Sequence, residues 1–167
     1  MHIELADSEA TENLGRALAR GLPAQPEEAA VVVYLCGELG AGKTTCVRAL
    51  LRSLGATGLI RSPTYTLVEG YDLAARHFVH VDLYRLVDPE ELWNLGLRDY
   101  LAPDHVLLIE WPEKGGAGLP SPDLVITLTY RAGGRHAALR ADSGFGTRWI
   151  ANLEHDNSLT PYVSNLT

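Results

Sequence analysis

The run Gly37-Glu38-Leu39-Gly40-Ala41-Gly42-Lys43-Thr44-Thr45 follows directly on the apolar stretch Val31 to Cys36 and leads into a helical pattern carrying Cys46, Val47, Leu50, Leu51 and Leu54 on one face. Few folds accommodate that order. An uninterrupted apolar hexamer reads as a strand covered on both faces by helices, and a glycine-rich turn joining it to a helix reads as a strand-loop-helix unit of a parallel α/β sheet. The run fits G-x-x-x-x-G-K-[ST] without deviation. Its glycines permit backbone angles closed to other residues, so successive N–H groups can turn inward around an anion at the positive end of the helix. In such a loop Lys43 bridges the β- and γ-phosphates of a nucleotide and the Thr44 hydroxyl ligates Mg²⁺. Residues Gly37, Glu38, Leu39, Gly40, Ala41, Gly42, Lys43, Thr44 and Thr45 are therefore the first candidate nucleotide-binding set.

The flanking chain supplies the rest of an α/β domain. Asp7 or Ser8 caps a helix with Ala10, Leu14, Leu18 and Leu22 in phase, ended by Pro23 and Pro26, and Gly55 stops the helix after the loop. Residues 62–71 pass from a loop into an alternating strand. Phe78 to Asp82 and Val106 to Glu110 are apolar strands, each ending in a carboxylate, and Asp88-Pro89-Glu90-Glu91 opens a short helix with Leu92 and Trp93. Leu124 to Tyr130 alternate, and Ala132-Gly133-Gly134 turns them into Arg135 to Ala141, an antiparallel hairpin expected at a sheet edge. A last helix spans Thr147 to Leu153. The prediction is a three-layer α/β P-loop NTPase domain over residues 1–154, with a mostly parallel central sheet and an antiparallel edge hairpin, followed by a polar, flexible tail over 155–167.

Charge and cysteine usage narrow the function. With 14 basic and 21 acidic side chains the formal net charge is −7, which disfavours direct, strong nucleic-acid binding; if nucleic acid is involved, a partner holds it. Cys36 and Cys46 lack zinc-ligand spacing and read as small buried apolar residues. Glu4, Asp7 and Glu9 interrupt the start of the chain and no run of 18 apolar residues occurs, so a cytoplasmic protein with no membrane role is expected; the Asn165-Leu166-Thr167 sequon carries little weight in that setting. No Asn-Lys-x-Asp run reads guanine, and Arg61, Arg76 and Arg85 are scattered rather than gathered in a phosphoryl-clamping lid. A small-molecule phosphotransferase is thus the second reading, and a nucleotide-gated adaptor without essential hydrolysis the third.

The acids at the strand ends are the candidate catalytic groups beside Lys43. Glu110 is placed like a Walker B acid, to hold Mg²⁺ or its water across from Thr44, and Asp82 like a water-orienting or second metal-side residue; the sequence leaves open which acid meets the metal directly. Thr64 or Thr66, about twenty residues past Lys43, sits where a loop sensing the γ-phosphate is expected. Trp111 packs over the site, faces a partner, or is a core residue alone. His80 reads as a buried, satisfied histidine, and Arg85 as a salt-bridge partner or charge stabiliser.

Four segments in fixed order carry a family resemblance: the loop at 37–45, Ser62-Pro63-Thr64-Tyr65-Thr66-Leu67-Val68-Glu69, His80-Val81-Asp82-Leu83-Tyr84-Arg85-Leu86, and Leu108-Ile109-Glu110-Trp111-Pro112. They resemble the TsaE (formerly YjeE) family over about residues 8 to 140. The resemblance implies an ADP/ATP-binding, Mg²⁺-dependent ATPase of low intrinsic activity in bacterial tRNA N6-threonylcarbamoyladenosine synthesis. It further implies docking on the TsaB–TsaD pair, which modifies adenosine 37 of ANN-decoding tRNAs, with ATP hydrolysis resetting the complex between turnovers and tRNA met only through that complex. Thr11 and Arg135 enter as nucleotide-proximal candidates on the resemblance alone.

Overall fold

The computed structural model describes residues 1–24, 28–73 and 75–159, without the side chains of Pro89, Trp93 and Asn94. The predicted stop at Pro26, the side chain of Trp93 and residues 160–167 lie outside that set. In chain order the elements are β1 (His2–Leu5), α1 (Ser8–Gly21), β2 (Val31–Cys36), α2 (Lys43–Ser53), β3 (Val68–Leu73), β4 (Arg76–Asp82), β5 (His105–Glu110), the single turn α3 (Pro112–Gly115), β6 (Leu124–Arg131), β7 (Gly134–Ala141) and α4 (Gly144–Glu154). Short 3₁₀ helices at Pro89–Leu95, Leu97–Tyr100 and Gly116–Gly118 complete the order.

The seven strands form one sheet in the order β1-β7-β6-β2-β5-β4-β3. Parallel pairings join β2 to β5, β2 to β6 and β4 to β5, whereas β1/β7, β6/β7 and β3/β4 are antiparallel. The sheet is therefore mixed rather than mostly parallel. The β6–β7 hairpin is not at the edge either, because β6 lies against β2 and β1 adds itself outside β7. Its sequence period was legible; its neighbours were not. Four residues suffice for that outer strand, with Ile3 and Leu5 buried in the core while Glu4 pairs with His136.

Alternation along the strands divides the interior in two. Val31, Val33, Leu35, Phe78, Val106, Leu108 and Ile126 face α1, α2 and α4, and Val32, Val79, Val81, Leu107 and Ile109 face Leu83, Leu86, Leu92 and Leu97. Both faces are thus covered, but among the described residues the second only by one turn of α-helix and 3₁₀ segments, where helices were expected. Asp7 caps α1 through a 2.8 Å bond from the Ala10 N–H, and Ser143 caps α4 from Gly146. Trp149, fully buried, donates from its ring N–H to the Leu18 carbonyl at 2.9 Å and fastens α4 across α1. Of the expected tail, His155 to Leu159 continue this packing: Arg20 reaches Asp156 at 2.9 Å and Leu159 is buried. Cys46 is buried as read, its thiol pushed up to about 12 by burial and then by the nearby Glu110, while Cys36 is half-buried at the end of β2. Among the described residues no helix is long and apolar enough to cross a membrane.

Candidate functional site

The site lies at the C-terminal ends of β2, β4 and β5. After Cys36 the chain leaves β2 at Gly37, whose φ of 138° and 2.3 Å approach of a built Cβ to the Leu128 carbonyl admit glycine alone. Gly40 and Gly42 also have positive φ, 77° and 108°, and Gly42 is the left-handed residue from which α2 starts. The loop thereby delivers Lys43 and Thr44 as the first two residues of a helix, where four N–H groups lack helical partners.

Lys43 is only 4% exposed. Its ammonium donates to the main-chain carbonyls of Gly37 at 2.6 Å and Glu38 at 3.0 Å, and lies 3.9 Å from the centroid of the Trp111 ring. Burial pulls its pKa below the ordinary lysine value, while the carboxylates of Glu110 and Asp82 oppose the shift. Trp111 itself holds a left-handed backbone, φ 59°, and packs its ring 5.0 Å from that of Tyr84. Trp111 lines the site and packs over it, rather than serving as a core residue alone.

Register brings the two acids together. Asp82 and Glu110 are direct partners across the parallel β4/β5 pair, and Leu35 on β2 is the partner of Glu110 on its other side. The Thr44 hydroxyl donates to both oxygens of Glu110, at 2.8 and 3.0 Å. His80 Nε2 meets the same carboxylate at 2.8 Å. Asp82 accepts from the Tyr84 N–H at 2.9 Å, from the Thr64 hydroxyl at 3.1 Å and from the Ser62 hydroxyl. The loop carrying those hydroxyls closes on itself through Leu67 N–H to Pro63 carbonyl, 2.6 Å, and docks on β4 through Asp82 N–H to Leu67 carbonyl, 3.1 Å. Each acid is thus tied to a different segment: Glu110 to the start of α2, Asp82 to the loop at 62–67.

A cavity of about 260 Å³ opens among these groups. Of the predicted residues, Leu39, Gly40, Gly42, Lys43, Thr44, Thr45, Thr64, Asp82 and Glu110 line it. Gly37 and Glu38 contribute the carbonyls that hold Lys43, and Ala41 is buried beneath the loop. Thr66 is exposed and outside the cavity wall. Thr11 and Arg135 brace the loop from behind: the Thr11 methyl would be 3.1 Å from a Cβ at Gly42, and Arg135 Nη2 is 3.5 Å from the Gly40 carbonyl. Arg85 stacks on Tyr65, 4.3 Å from its ring centroid, and pairs with no acid among the described residues. Sequence reasoning passed over Ser62 and Tyr84 as site residues; both sat inside quoted motifs, but neither a loop hydroxyl nor a half-exposed tyrosine has a periodic signature.

Comparison with known proteins gives consistent matches. The family described as "Threonylcarbamoyl adenosine biosynthesis protein TsaE" matches residues 5–137. The chain is 48% identical over 124 residues to the tRNA threonylcarbamoyladenosine biosynthesis protein TsaE of Haemophilus influenzae, covering 74% of this chain and 78% of that one. To the protein of the same name in Nostoc sp. it is 41% identical over 133 residues, 77% of each chain. A crystal structure of Bacillus subtilis YdiB superposes with a TM-score of 0.69 at 22% identity, covering 92% of this chain and 93% of that one, so the fold is shared. The four motifs, their meeting in one cavity and these matches lead to one conclusion: the chain belongs to the TsaE family of threonylcarbamoyladenosine biosynthesis proteins.

Proposed function

We propose that this chain binds Mg-ATP in the cavity at 37–45 and hydrolyses it slowly, and that hydrolysis on the TsaB–TsaD pair resets the complex between rounds of tRNA modification. The observation that carries the reading is the meeting of a glycine-turned helix N-terminus, Lys43, Thr44 and two register-paired carboxylates around one cavity. The donor set fits the magnesium ion that such a reaction uses. A hydroxyl and carboxylates are hard oxygen ligands, and among the described residues no cluster of three or more His, Cys, Asp and Glu side chains forms a protein-only cage, consistent with an ion shared with substrate phosphates. Thr44 and Glu110 are the residues to hold it; when bound, magnesium withdraws charge from the phosphate oxygens.

The chain's own groups then have distinct work. Main-chain N–H groups of the loop and the first turn of α2 bind phosphate. Lys43 exchanges two neutral carbonyls for phosphate oxygens, a stronger, charge-assisted bond for an ammonium already withdrawn from water. Asp82 orients the attacking water and, through Ser62 and Thr64, ties the state of the γ-phosphate to the loop at 62–67. The net charge of −7 supports leaving the tRNA to the partners.

The test is ATP labelled in its γ-phosphate, incubated with the purified chain alone and with TsaB–TsaD. Slow release of inorganic phosphate that rises with the partners is expected. Label transferred to a small molecule, or no nucleotide binding by the intact chain, would overturn the reading.

A further inference from the structure

We infer that His80 is the positioning residue that sets the Glu110 carboxylate for its work at the metal, an inference that rests on the proposed Mg-ATP site. Alternation along β4 puts Phe78, His80 and Asp82 on the face covered by α2, so His80 occupies a core position between an apolar residue and an acid. It is fully buried. An aliphatic side chain would fill such a position without burying polar atoms, and an imidazole there is costly unless its nitrogens are used. Only one is: Nε2 lies 2.8 Å from Glu110 Oε1, while Nδ1 has no hydrogen-bond partner among the described residues. Because a carboxylate oxygen accepts, Nε2 carries the hydrogen.

The bond breaks the symmetry of the carboxylate. Oε1 takes hydrogen bonds from both His80 and Thr44, at 2.8 Å each, whereas among the described residues Oε2 takes only the longer 3.0 Å bond from Thr44. Oε2 is thus the oxygen with accepting capacity to spare, and the carboxyl is held from below, by the sheet, when Thr44 turns its hydroxyl to the metal. Groups that hold a metal-binding side chain in this way typically account for about 10- to 100-fold in metal affinity.

The experiment uses the whole chain and its His80→Leu and His80→Gln variants, with ADP titrated calorimetrically in EDTA and then in Mg²⁺. Leucine removes the donor; glutamine restores an N–H that reaches Oε1. Leucine should leave ADP affinity in EDTA unchanged and cut the Mg²⁺-dependent gain by about 10- to 100-fold, with glutamine recovering most of it. The inference falls if leucine keeps the full magnesium gain, if it weakens ADP equally in EDTA, or if glutamine is no better than leucine. A wild-type chain that binds ADP without any gain from magnesium overturns the inference, and one that binds no ADP at all overturns the proposed site with it. Ring-nitrogen NMR of the wild-type chain decides the matter even if the variants fail to fold. A hydrogen on Nε2, with a signal that moves on adding Mg²⁺ and ADP but not ADP in EDTA, supports the inference; a hydrogen on Nδ1 alone refutes it.

Discussion

Replacing Gly15 by alanine separates helix propensity from packing, and the structure fixes which should win. Gly15 is mid-helix in α1 where α1 crosses α2, and a Cβ built there would lie 2.3 Å from the Cys46 carbonyl oxygen, 2.7 Å from the Ala49 Cβ and 3.1 Å from the Leu50 nitrogen. Propensity alone favours alanine by ~0.8–1.0 kcal/mol. Against it, two of the contacts are main-chain atoms that no rotamer change can move, so α1 and α2 must part by roughly an ångström to reach ordinary van der Waals distance. Overpacking of a close-packed core costs ~1–3 kcal/mol, and a clash with backbone belongs at the upper end. The net expectation is a loss of about 2 kcal/mol, which for a chain of this size lowers Tm by roughly 4–8 °C. Because α2 begins with Lys43 and Thr44, ADP binding should weaken along with stability. Thermal unfolding by circular dichroism and an ADP titration on the same preparation measure both. A Tm equal to or above that of the parent chain would mean that the two helices do not meet at Gly15, and the packing that positions the site would be wrong.

Other perturbations test the site and the C-terminal packing. Lys43→Ala removes the loop's cation and with it a charge-assisted bond to phosphate of ~1.5–3 kcal/mol, so calorimetric ATP affinity should fall about 10- to 100-fold; near-unchanged affinity refutes the assignment. Glu110→Gln keeps an oxygen to accept from Thr44 but loses the charge, so metal-free ADP binding should persist while partner-stimulated turnover drops by at least about 100-fold; unchanged turnover would remove Glu110 from the mechanism. Asp156 is subject to burial, which raises its pKa, but bonds from Ser158 and Arg20 outweigh this and hold it below the ordinary aspartate value. A depressed carboxylate stabilises the folded state above its unfolded pKa and loses that contribution as pH falls through the folded value. Protection of the amides at residues 155–159, taken relative to the intrinsic exchange rate at each pH, should therefore fall below about pH 4, and Asp156→Asn should show the lower protection already at neutral pH; unchanged protection across that window would refute the role of the Arg20–Asp156 pair.

What the sequence made legible follows from how local each signal is. The loop and its flanking strand and helix were readable because glycine, lysine and threonine at 37–44 each answer a local demand, and because six apolar residues in a row can hardly sit anywhere but inside. Asp82 and Glu110 were readable as carboxylates ending apolar runs, but their direct pairing depends on the register of β4 against β5, which no local pattern carries. The same reason hides the partner of His80: alternation gives its face, register gives Glu110. The hairpin at 124–141 announced itself by its period and glycine turn, yet its internal place was set by β1, a four-residue strand whose only mark is Ile3 and Leu5 alternating with polar neighbours. The second face of the sheet was expected under helices; Pro89 and Gly96 before β5, and Gly116 and Gly118 after it, punctuate the covering segments so often that, among the described residues, only 3₁₀ segments and one turn of helix form there. Ser62 acquires its meaning only from where its loop docks.

The measurement that bears most directly on the central claim is a crystal structure of the whole chain with Mg²⁺ and a non-hydrolysable ATP analogue. The account predicts phosphate oxygens bonded to the main-chain N–H groups at 40–45, the Lys43 ammonium moved from the carbonyls of Gly37 and Glu38 onto those oxygens, and the metal between Thr44 and Glu110. A nucleotide bound elsewhere, or one in the cavity with Lys43 still on its two carbonyls and the Thr44–Glu110 pair undisturbed, would contradict it.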